Sequence, residues 1–322
     1  MDTGERRMTA EMISIDHVTK RYGRITGLQD VSFTVKRGMI TGLLGRNGAG
    51  KTTALNLMTG YFPPDEGQVF VNGMSMLQRP GECRRMIGYL PEKPPLYDEM
   101  TVTDYLRFVC DLKEVAGRDR NRHVEEILHI CALDEMRSRV IGHLSKGFRQ
   151  RAGIAQALCG NPEILILDEP TVGLDPLQVV EIRELIRNLG QDHTILFSSH
   201  ILSEVQQLCS MAVILHEGRL IRSFDMTAEE TRDVIRIRIS ILGKKSELLQ
   251  AIQSIGCVLR TEIMVSGDPE VTVLRLTGKT KDDRGLLTDQ LFHLLAALDA
   301  PIRQLVTEKN ELEDVFLQAT AD

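Results

Sequence analysis

The sequence contains few aromatic residues and no long apolar run. Its 322 residues include no Trp, and only 4% are aromatic. The longest uncharged apolar stretches, such as residues 211–215, span about five residues, whereas a bilayer-spanning helix needs about 20. Residues 1–12 are polar and mixed in charge, without the apolar core of a secretory signal. We therefore expect a cytoplasmic protein with no membrane span and a flexible tail over residues 1–12.

Paired cysteines and blocks of basic residues are also absent. The six cysteines lie far apart, with no C-x-x-C pair and no His at metal-ligand spacing, which favours buried thiols over zinc or disulfides. The net charge is −6. Because nucleic-acid binding needs a basic face that neutralises phosphates, we expect no nucleic-acid partner.

The sequence does contain short apolar runs that alternate with helical patterns. Largely apolar runs are typical of strands buried on both faces of a parallel sheet, and they occupy residues 39–45, 164–167, 194–199 and 211–215. This alternation predicts an α/β layered fold.

One helix between these strands has clear start and stop signals. Asp175 and Pro176 mark its start, and Gly190 marks its end. Its apolar positions predict a buried stripe made of Leu177, Val180, Leu185 and Leu189.

The pattern changes near residues 225–231. The strand and helix patterns that follow have the order β-α-β-β-α-β, which predicts a small α+β split βαβ (ferredoxin-like) domain, with a last helix at 311–320. We therefore predict a tail at 1–12, a first domain at 13–226 and a second domain at 227–322.

A glycine-rich motif lies between an apolar strand and a helix. It fits G-x-x-x-x-G-K-[ST], and its residues are Gly45, Arg46, Asn47, Gly48, Ala49, Gly50, Lys51, Thr52 and Thr53. Backbone amides of such a loop point at phosphate oxygens. Lys51 would reach the β- and γ-phosphates, and the Thr52 hydroxyl would bind Mg²⁺. The alternative is a glycine-rich turn without a ligand.

Two carboxylates end a hydrophobic strand. Asp168 and Glu169 follow the apolar run at 164–167, where a carboxylate is costly unless it meets a cation or transfers a proton. Asp168 suits a magnesium ligand, and Glu169 suits polarisation of an attacking water. Taken alone, such a pair would more often be a solvated strand end or a helix cap.

These motifs belong to an ordered set. The phosphate loop is followed by LSKGFRQR at 144–151, by LDEP at 167–170, by GLDP at 173–176 and by SSH at 198–200. Over residues 13–225 the chain resembles the ATP-binding subunits of ABC transporters. The resemblance implies a P-loop NTPase fold of the ABC type, with a mixed sheet, helices and a helical subdomain. It also implies ATP and Mg²⁺ as cofactors.

The resemblance implies further roles. Tyr22 matches the aromatic residue that stacks on adenine. Ser145 and Gly147 match signature residues that contact the γ-phosphate held by the opposite subunit of a head-to-tail dimer. Asp175 matches the residue of the D-loop, the segment after the DE strand, at that interface. His200 matches the switch histidine that senses the γ-phosphate.

Two positions depart from the family pattern. Lys146 replaces the second signature glycine, which leaves Ser145 and Gly147 in place. Glu92 replaces the usual Q-loop glutamine. A carboxylate cannot donate as an amide does, so we expect Glu92 to be attracted to Mg²⁺ rather than to phosphate.

Two segments resemble one branch of the family. The stretches at 88–106 and 312–320 are similar to exporter-type subunits, including gliding-motility-like and bacterial drug or lipid exporters with an accessory C-terminal domain. In that branch the segment corresponding to 94–105 receives a helix of the membrane subunit. Its alternative interpretation is an ordinary surface loop.

The resemblance implies an ATP-hydrolysing motor that acts on a separate multi-span permease, peripheral to the cytoplasmic face of the membrane. Its partner would be a second copy or a homologous ATPase subunit. An ABC ATPase acting on ribosomes or DNA, and a P-loop kinase or GTPase, are the alternatives. For the second domain, dimer contact, small-molecule regulation and simple packing remain open.

Overall fold

In the computed structural model the chain divides into two compact units, with the division between Asp225 and Met226. The structure describes residues 11–226, 234–242, 245–266, 268, 271–279, 281–282, 285–308, 312 and 315–316. The predicted helix at 311–320 falls largely outside the described residues.

A six-stranded mixed sheet forms the centre of the first unit, in the order β10-β9-β3-β8-β7-β6. The strands are β3 (Ile40–Leu44), β6 (Ile87–Leu90), β7 (Ile164–Leu167), β8 (Thr194–Ser199), β9 (Met211–His216) and β10 (Arg219–Asp225). All neighbours are parallel except β10, which pairs antiparallel with β9. Every residue of β3, β7 and β8 is buried, as the apolar runs predict.

A second, antiparallel sheet has the order β2-β1-β4-β5. Its strands are β1 (Glu11–Tyr22), β2 (Ile25–Lys36), β4 (Glu66–Val71) and β5 (Met74–Ser75). One apolar core joins side chains of both sheets with Leu55 and Met58 of the first helix. Met12 is fully buried in this core. The predicted tail is therefore wrong at residues 11 and 12, because β1 begins at Glu11 and Met12 packs in the core.

The helices of the first unit are α1 (Lys51–Met58), α2 (Pro80–Arg85), α3 (Val102–Leu112), α4 (Gly117–Ile130), α5 (Lys146–Leu158), α6 (Pro176–Leu189) and α7 (Leu202–Leu208), with short 3₁₀ turns at Asp134–Met136 and Ile141–His143. Helices α3, α4 and α5 pack on one another. Their packing gives the helical subdomain that the resemblance implies.

Helix α6 corrects one prediction. It starts after Asp175 and ends before Gly190 as expected, but Leu177 and Val180 are 69% and 43% exposed. The buried positions are Ile182, Leu185, Ile186 and Leu189. These four follow the i, i+3, i+4, i+7 spacing of a helical face, so the stripe runs through the isoleucines.

The second unit is a four-stranded antiparallel sheet in the order β12-β13-β11-β16. Its elements are β11 (Val234–Leu242), α8 (Lys245–Gln253), β12 (Val258–Met264), β13 (Val271–Lys279), the short β14 (Lys281–Asp282) and β15 (Gly285–Leu286), α9 (Leu287–Ala297) and β16 (Ile302–Glu308). Alternate residues of β11 are buried in one core with Ile252 of α8 and Leu291 of α9. The four main strands and two helices follow the predicted β-α-β-β-α-β order.

Among the described residues, no helix is both long and apolar enough to span a membrane. The six cysteines are buried and free.

Candidate functional site

The glycine-rich loop turns from the end of β3 into α1. Gly50 precedes the helix with φ 98°, a left-handed conformation that favours glycine. A Cβ at this position would lie 2.5 Å from the carbonyl oxygen of Gly27. The loop therefore keeps its curve only with glycine at position 50. The start of α1 adds free amides and a positive dipole end, which suits an anion.

Lys51 is the first residue of α1 and is only 6% exposed. Its Nζ donates to the carbonyl oxygens of Gly45, at 2.7 Å, and Arg46, at 3.3 Å. It also lies 3.2 Å from Oε1 of Glu169. The ammonium group is thus held inside the curve of the loop, where a phosphate would meet it.

Asp168 is held by two hydroxyl groups. Thr52 Oγ1 donates to Asp168 Oδ2 at 3.1 Å, and Ser198 Oγ donates to Oδ1 at 2.6 Å. Burial raises the pKa of Asp168, the two hydrogen bonds lower it, and the charges of Glu169 and Glu92 raise it further. A divalent cation would offset this cost, so the Thr52 and Asp168 oxygens fit Mg²⁺, which takes few protein ligands beside phosphates.

Glu169 connects the loop with His200. Its backbone has φ 47°, which costs a non-glycine residue about 1 kcal/mol or more, and its amide donates to Ser198 Oγ at 2.9 Å. His200 Nδ1 donates to Glu169 Oε2 at 2.9 Å. The other carboxylate oxygen, Oε1, is buried and forms an ion pair with Lys51 Nζ at 3.2 Å. The Glu169 carboxylate is therefore held between His200 and Lys51 beside the phosphate-binding loop.

Tyr22 and Glu92 lie at two edges of this cluster. Tyr22 is partly exposed and packs edge-on against Phe62, with ring centroids 5.7 Å apart. A Cβ built on Gly27 would touch both the Tyr22 ring and Thr53, so this ring is close to the start of α1. Glu92 is exposed on a cleft of about 940 Å³ that Thr52 and Asp168 also line.

The signature residues have other neighbours. Ser145 caps α5 by accepting from the Phe148 amide at 3.5 Å. A Cβ built on Gly147 would meet the side chain of Gln178 at 2.8 Å, and one built on Gly173 would collide with Lys146 Nζ. Gly147 therefore lies against Gln178 in the first turn of α6, and Lys146 lies against Gly173 just before that helix.

Asp175 lies in the same region and caps α6. Its Oδ1 accepts a hydrogen bond from the Gln178 amide at 2.9 Å. Asp175 is therefore a helix N-cap within this chain, as its position before Pro176 predicts.

Sequence reasoning missed Ser198 and Glu204. Ser198 joins the Asp168 carboxylate to the Glu169 amide. Its signal was its place two residues before His200, at the end of a strand parallel to β7. Glu204 is buried beneath the turns that carry Glu169 and His200, through bonds to Thr171 and Ser199. Its sequence signal is weak, because Glu204 is one polar residue among others (Ser203, Gln206 and Gln207) in a short helix.

Comparison with known proteins agrees with this geometry. A family model described as ABC transporter matches residues 28–172. The bacitracin transport ATP-binding protein BcrA of Bacillus licheniformis is 37% identical over 243 residues, which are 74% of this chain and 78% of that protein. The uncharacterized ABC transporter ATP-binding protein YxlF of Bacillus subtilis is 35% identical, over 95% of this chain and 99% of that protein.

Solved structures give the same result. The structure of an ATP-binding subunit of an ABC transporter superposes with a TM-score of 0.61 at 32% identity, over 67% of this chain and 90% of that one. A dimeric bacterial ABC transporter cassette superposes with a TM-score of 0.62 at 26% identity, over 67% of this chain and all of that one. The chain therefore belongs to the ABC transporter family, as an ATP-binding subunit that hydrolyses ATP to power transport.

Proposed function

We propose that two copies of this chain, or this chain and a homologous subunit, close head to tail around two ATP molecules and thereby drive a separate multi-span permease. One observation carries the hydrolytic part: the buried Glu169 carboxylate lies beside the phosphate-binding loop, between His200 Nδ1 at 2.9 Å from Oε2 and Lys51 Nζ at 3.2 Å from Oε1. A buried carboxylate beside a phosphate-binding loop suits a general base.

The loop at 45–53 would hold the ATP phosphates through its amides and Lys51, with Tyr22 against the adenine. Thr52 and Asp168 would hold Mg²⁺, which supplies charge neutralisation on the phosphates. Glu92 would approach the same ion from the cleft; its effect on the pKa of Asp168 supports this proximity.

In the reaction Glu169 would accept a proton from the attacking water, while His200 holds the carboxylate through Oε2 and senses the γ-phosphate. Lys51 would stabilise negative charge on the phosphate oxygens. Each site would be completed by Ser145, Lys146 and Gly147 of the opposite subunit, with Asp175 at the shared interface. The contacts of Gly147 with Gln178 and of Lys146 with Gly173, next to the Asp175 cap, support a common surface for that purpose.

The direction of transport is export in this proposal. Relatives include proteins named for bacitracin transport and for linearmycin resistance. The segment 94–105 would receive a helix of the permease, and its Pro95 lines the same cleft as Glu92 and Lys93. The chain would then lie on the cytoplasmic face of the membrane.

The second unit is proposed to be an accessory domain, residues 227–322, that extends the dimer contact. The sequence supports an exporter-type branch with such a domain, and the relative YxlF aligns over 95% of this chain, which includes the region. The first unit, proposed as residues 13–226, would contain all of the nucleotide chemistry.

The test replaces the proposed base. Glu169→Gln should lower the steady-state rate of ATP hydrolysis by about 100-fold or more, because an amide cannot accept the proton. Binding of ATP, measured by equilibrium titration, should persist. Glu163→Gln, an exposed change at the other end of β7, is the matched control and should hydrolyse ATP normally. A normal rate in Glu169→Gln would show that Glu169 is not the base.

The same variant tests the dimer. Glu169→Gln with ATP should accumulate as a dimer in size-exclusion chromatography, and adding Ser145→Ala should remove that dimer. A dimer that persists in the double variant would contradict the proposed contact of Ser145 with the nucleotide of the opposite subunit. Recovery of the chain with ribosomes rather than membranes would contradict the transport proposal.

A further inference from the structure

A buried carboxylate outside the proposed chemistry lies beneath the site. Glu204, in the first turn of α7, is only 3% exposed. Its Oε1 accepts from Thr171 Oγ1 at 2.7 Å, and its Oε2 accepts from Ser199 Oγ at 2.6 Å. Among the described residues, no Lys, Arg or His forms an ion pair with it. A buried carboxylate is unfavourable unless its hydrogen bonds compensate, so these two contacts are the reason it is tolerated.

The two hydroxyls belong to the turns that carry the proposed catalytic pair. Thr171 is two residues after Glu169, in a turn closed by the Val172 amide donating to the Glu169 carbonyl at 3.1 Å. Ser199 precedes His200, and its Oγ also accepts from the Ile201 amide at 3.0 Å. Glu204 therefore bonds one side chain from each turn.

These turns leave different strands, so a hydrogen bond across them depends on their spacing. Glu169 follows β7, and His200 follows β8. His200 Nδ1 and Glu169 Oε2 lie 2.9 Å apart, and Glu169 has a left-handed backbone that its surroundings must maintain. Residues that fix the positions of Glu169 and His200 should affect the rate of ATP hydrolysis strongly, because small displacements of a catalytic group lower reaction rates.

We propose that Glu204 is a positioning residue that bonds the Glu169 turn to the His200 turn and so sets the geometry of the Glu169–His200 pair. The proposal rests on the proposed roles of Glu169 and His200. Glu204 itself touches neither nucleotide nor water in this role. Its effect on hydrolysis passes entirely through that pair.

The test uses Glu204→Gln in the full-length protein. The amide keeps the side chain's size but offers only one acceptor oxygen, so one of the two hydroxyl contacts must reverse or break. The kcat for ATP hydrolysis should fall about tenfold, while KM and the affinity for a non-hydrolysable ATP analogue stay within about twofold. Thr171→Val, which removes the hydroxyl with little change in shape, should act in the same direction.

A second measurement separates positioning from a purely structural role. In a His200→Ala background the pair is already broken, so Glu204→Gln should change kcat by less than about twofold. A tenfold loss in both backgrounds, or a loss of analogue affinity that follows kcat, would overturn the proposal. Glu184→Ala, an exposed carboxylate change on α6, is the control and should leave both constants unchanged.

The outcomes also distinguish this inference from the proposed function. Normal hydrolysis in Glu169→Gln would overturn the role of the base. A slow Glu169→Gln beside a normal Glu204→Gln and a normal Thr171→Val would overturn the positioning role alone.

Discussion

At the scale of single residues, ionised Asp168 lowers the stability of the fold at a position where its charge suits a bound cation. The side chain is buried, and the negative charges of Glu169 and Glu92 disfavour its ionised form. The hydroxyl groups of Thr52 and Ser198 donate hydrogen bonds that offset part of this cost. Its raised pKa means that the folded protein holds the proton more tightly than the unfolded chain does. The ionised group therefore lowers stability above that pKa, and this penalty is relieved as pH falls through it.

Asp168→Asn tests that balance. Removing the charge should raise the melting temperature of the nucleotide-free protein at neutral pH, and the gain should shrink as pH falls through the raised pKa of Asp168 and the wild-type carboxyl takes up its proton. A series of thermal unfolding measurements from neutral to acidic pH tests this, with Asp192→Asn on an exposed turn as control. A melting temperature that falls in Asp168→Asn would contradict a net penalty for the charge. The same variant should lose magnesium-dependent hydrolysis.

At the scale of elements, the contact between β6 and α5 positions the helical subdomain. Gly88 lies in β6, directly against α5, and a Cβ there would collide with the carbonyl oxygen of Ala157. That oxygen belongs to the helix backbone, so the neighbour cannot yield by rotating a side chain. Because α5 begins next to Ser145, this approach also sets where the signature lies relative to the sheet.

Gly88→Ala should therefore destabilise the protein by about 1–3 kcal/mol or more, as overpacking of a close contact does. Equilibrium denaturation in urea, followed by circular dichroism, measures the change. Gly81→Ala is the matched control: it lies in α2 with open space around it and should be neutral or stabilising by up to about 1 kcal/mol. Equal stability of Gly88→Ala and wild type would show that α5 can shift away from β6 without a cost in stability.

For the whole molecule, the described chemistry lies entirely within the first unit. Each contact of Lys51, Asp168, Glu169 and His200 above joins residues before Asp225. The second unit has its own apolar core. A unit with a separate core is expected to fold without its neighbour.

A chain ending at residue 226 should therefore bind ATP with the affinity of the full-length protein. Its ATP-dependent dimer should be weaker by about tenfold or more if the second unit adds contact area. Isothermal titration gives the affinity, and analytical ultracentrifugation of Glu169→Gln in both lengths gives the dimer constant. Equal dimer constants would assign the second unit another role, and lost nucleotide binding would show that the first unit needs it.

Much of the fold could be read from the sequence because it depends on near neighbours. The strand ends at Leu44 and Leu167, the helix cap at Asp175 and the second unit's element order all follow from period, glycine and capping signals within a few residues. The prediction for α6 was wrong at Leu177 and Val180, which are exposed. Both are apolar and three residues apart, so their spacing matches that of a buried helix face although they do not pack against the sheet. Only packing decides whether such positions are buried.

By itself, therefore, the sequence determined the phosphate-binding loop, the carboxylates after β7 and the α/β order, because each is encoded in a local pattern. The tertiary structure alone decided which distant groups meet: Thr52 with Asp168, 116 residues apart, and Thr171 with Glu204, 33 apart. Such pairs arise from the order of parallel strands in the sheet and from burial. For that reason Ser198 and Glu204 belong to the site only through the packing of β7, β8 and α7.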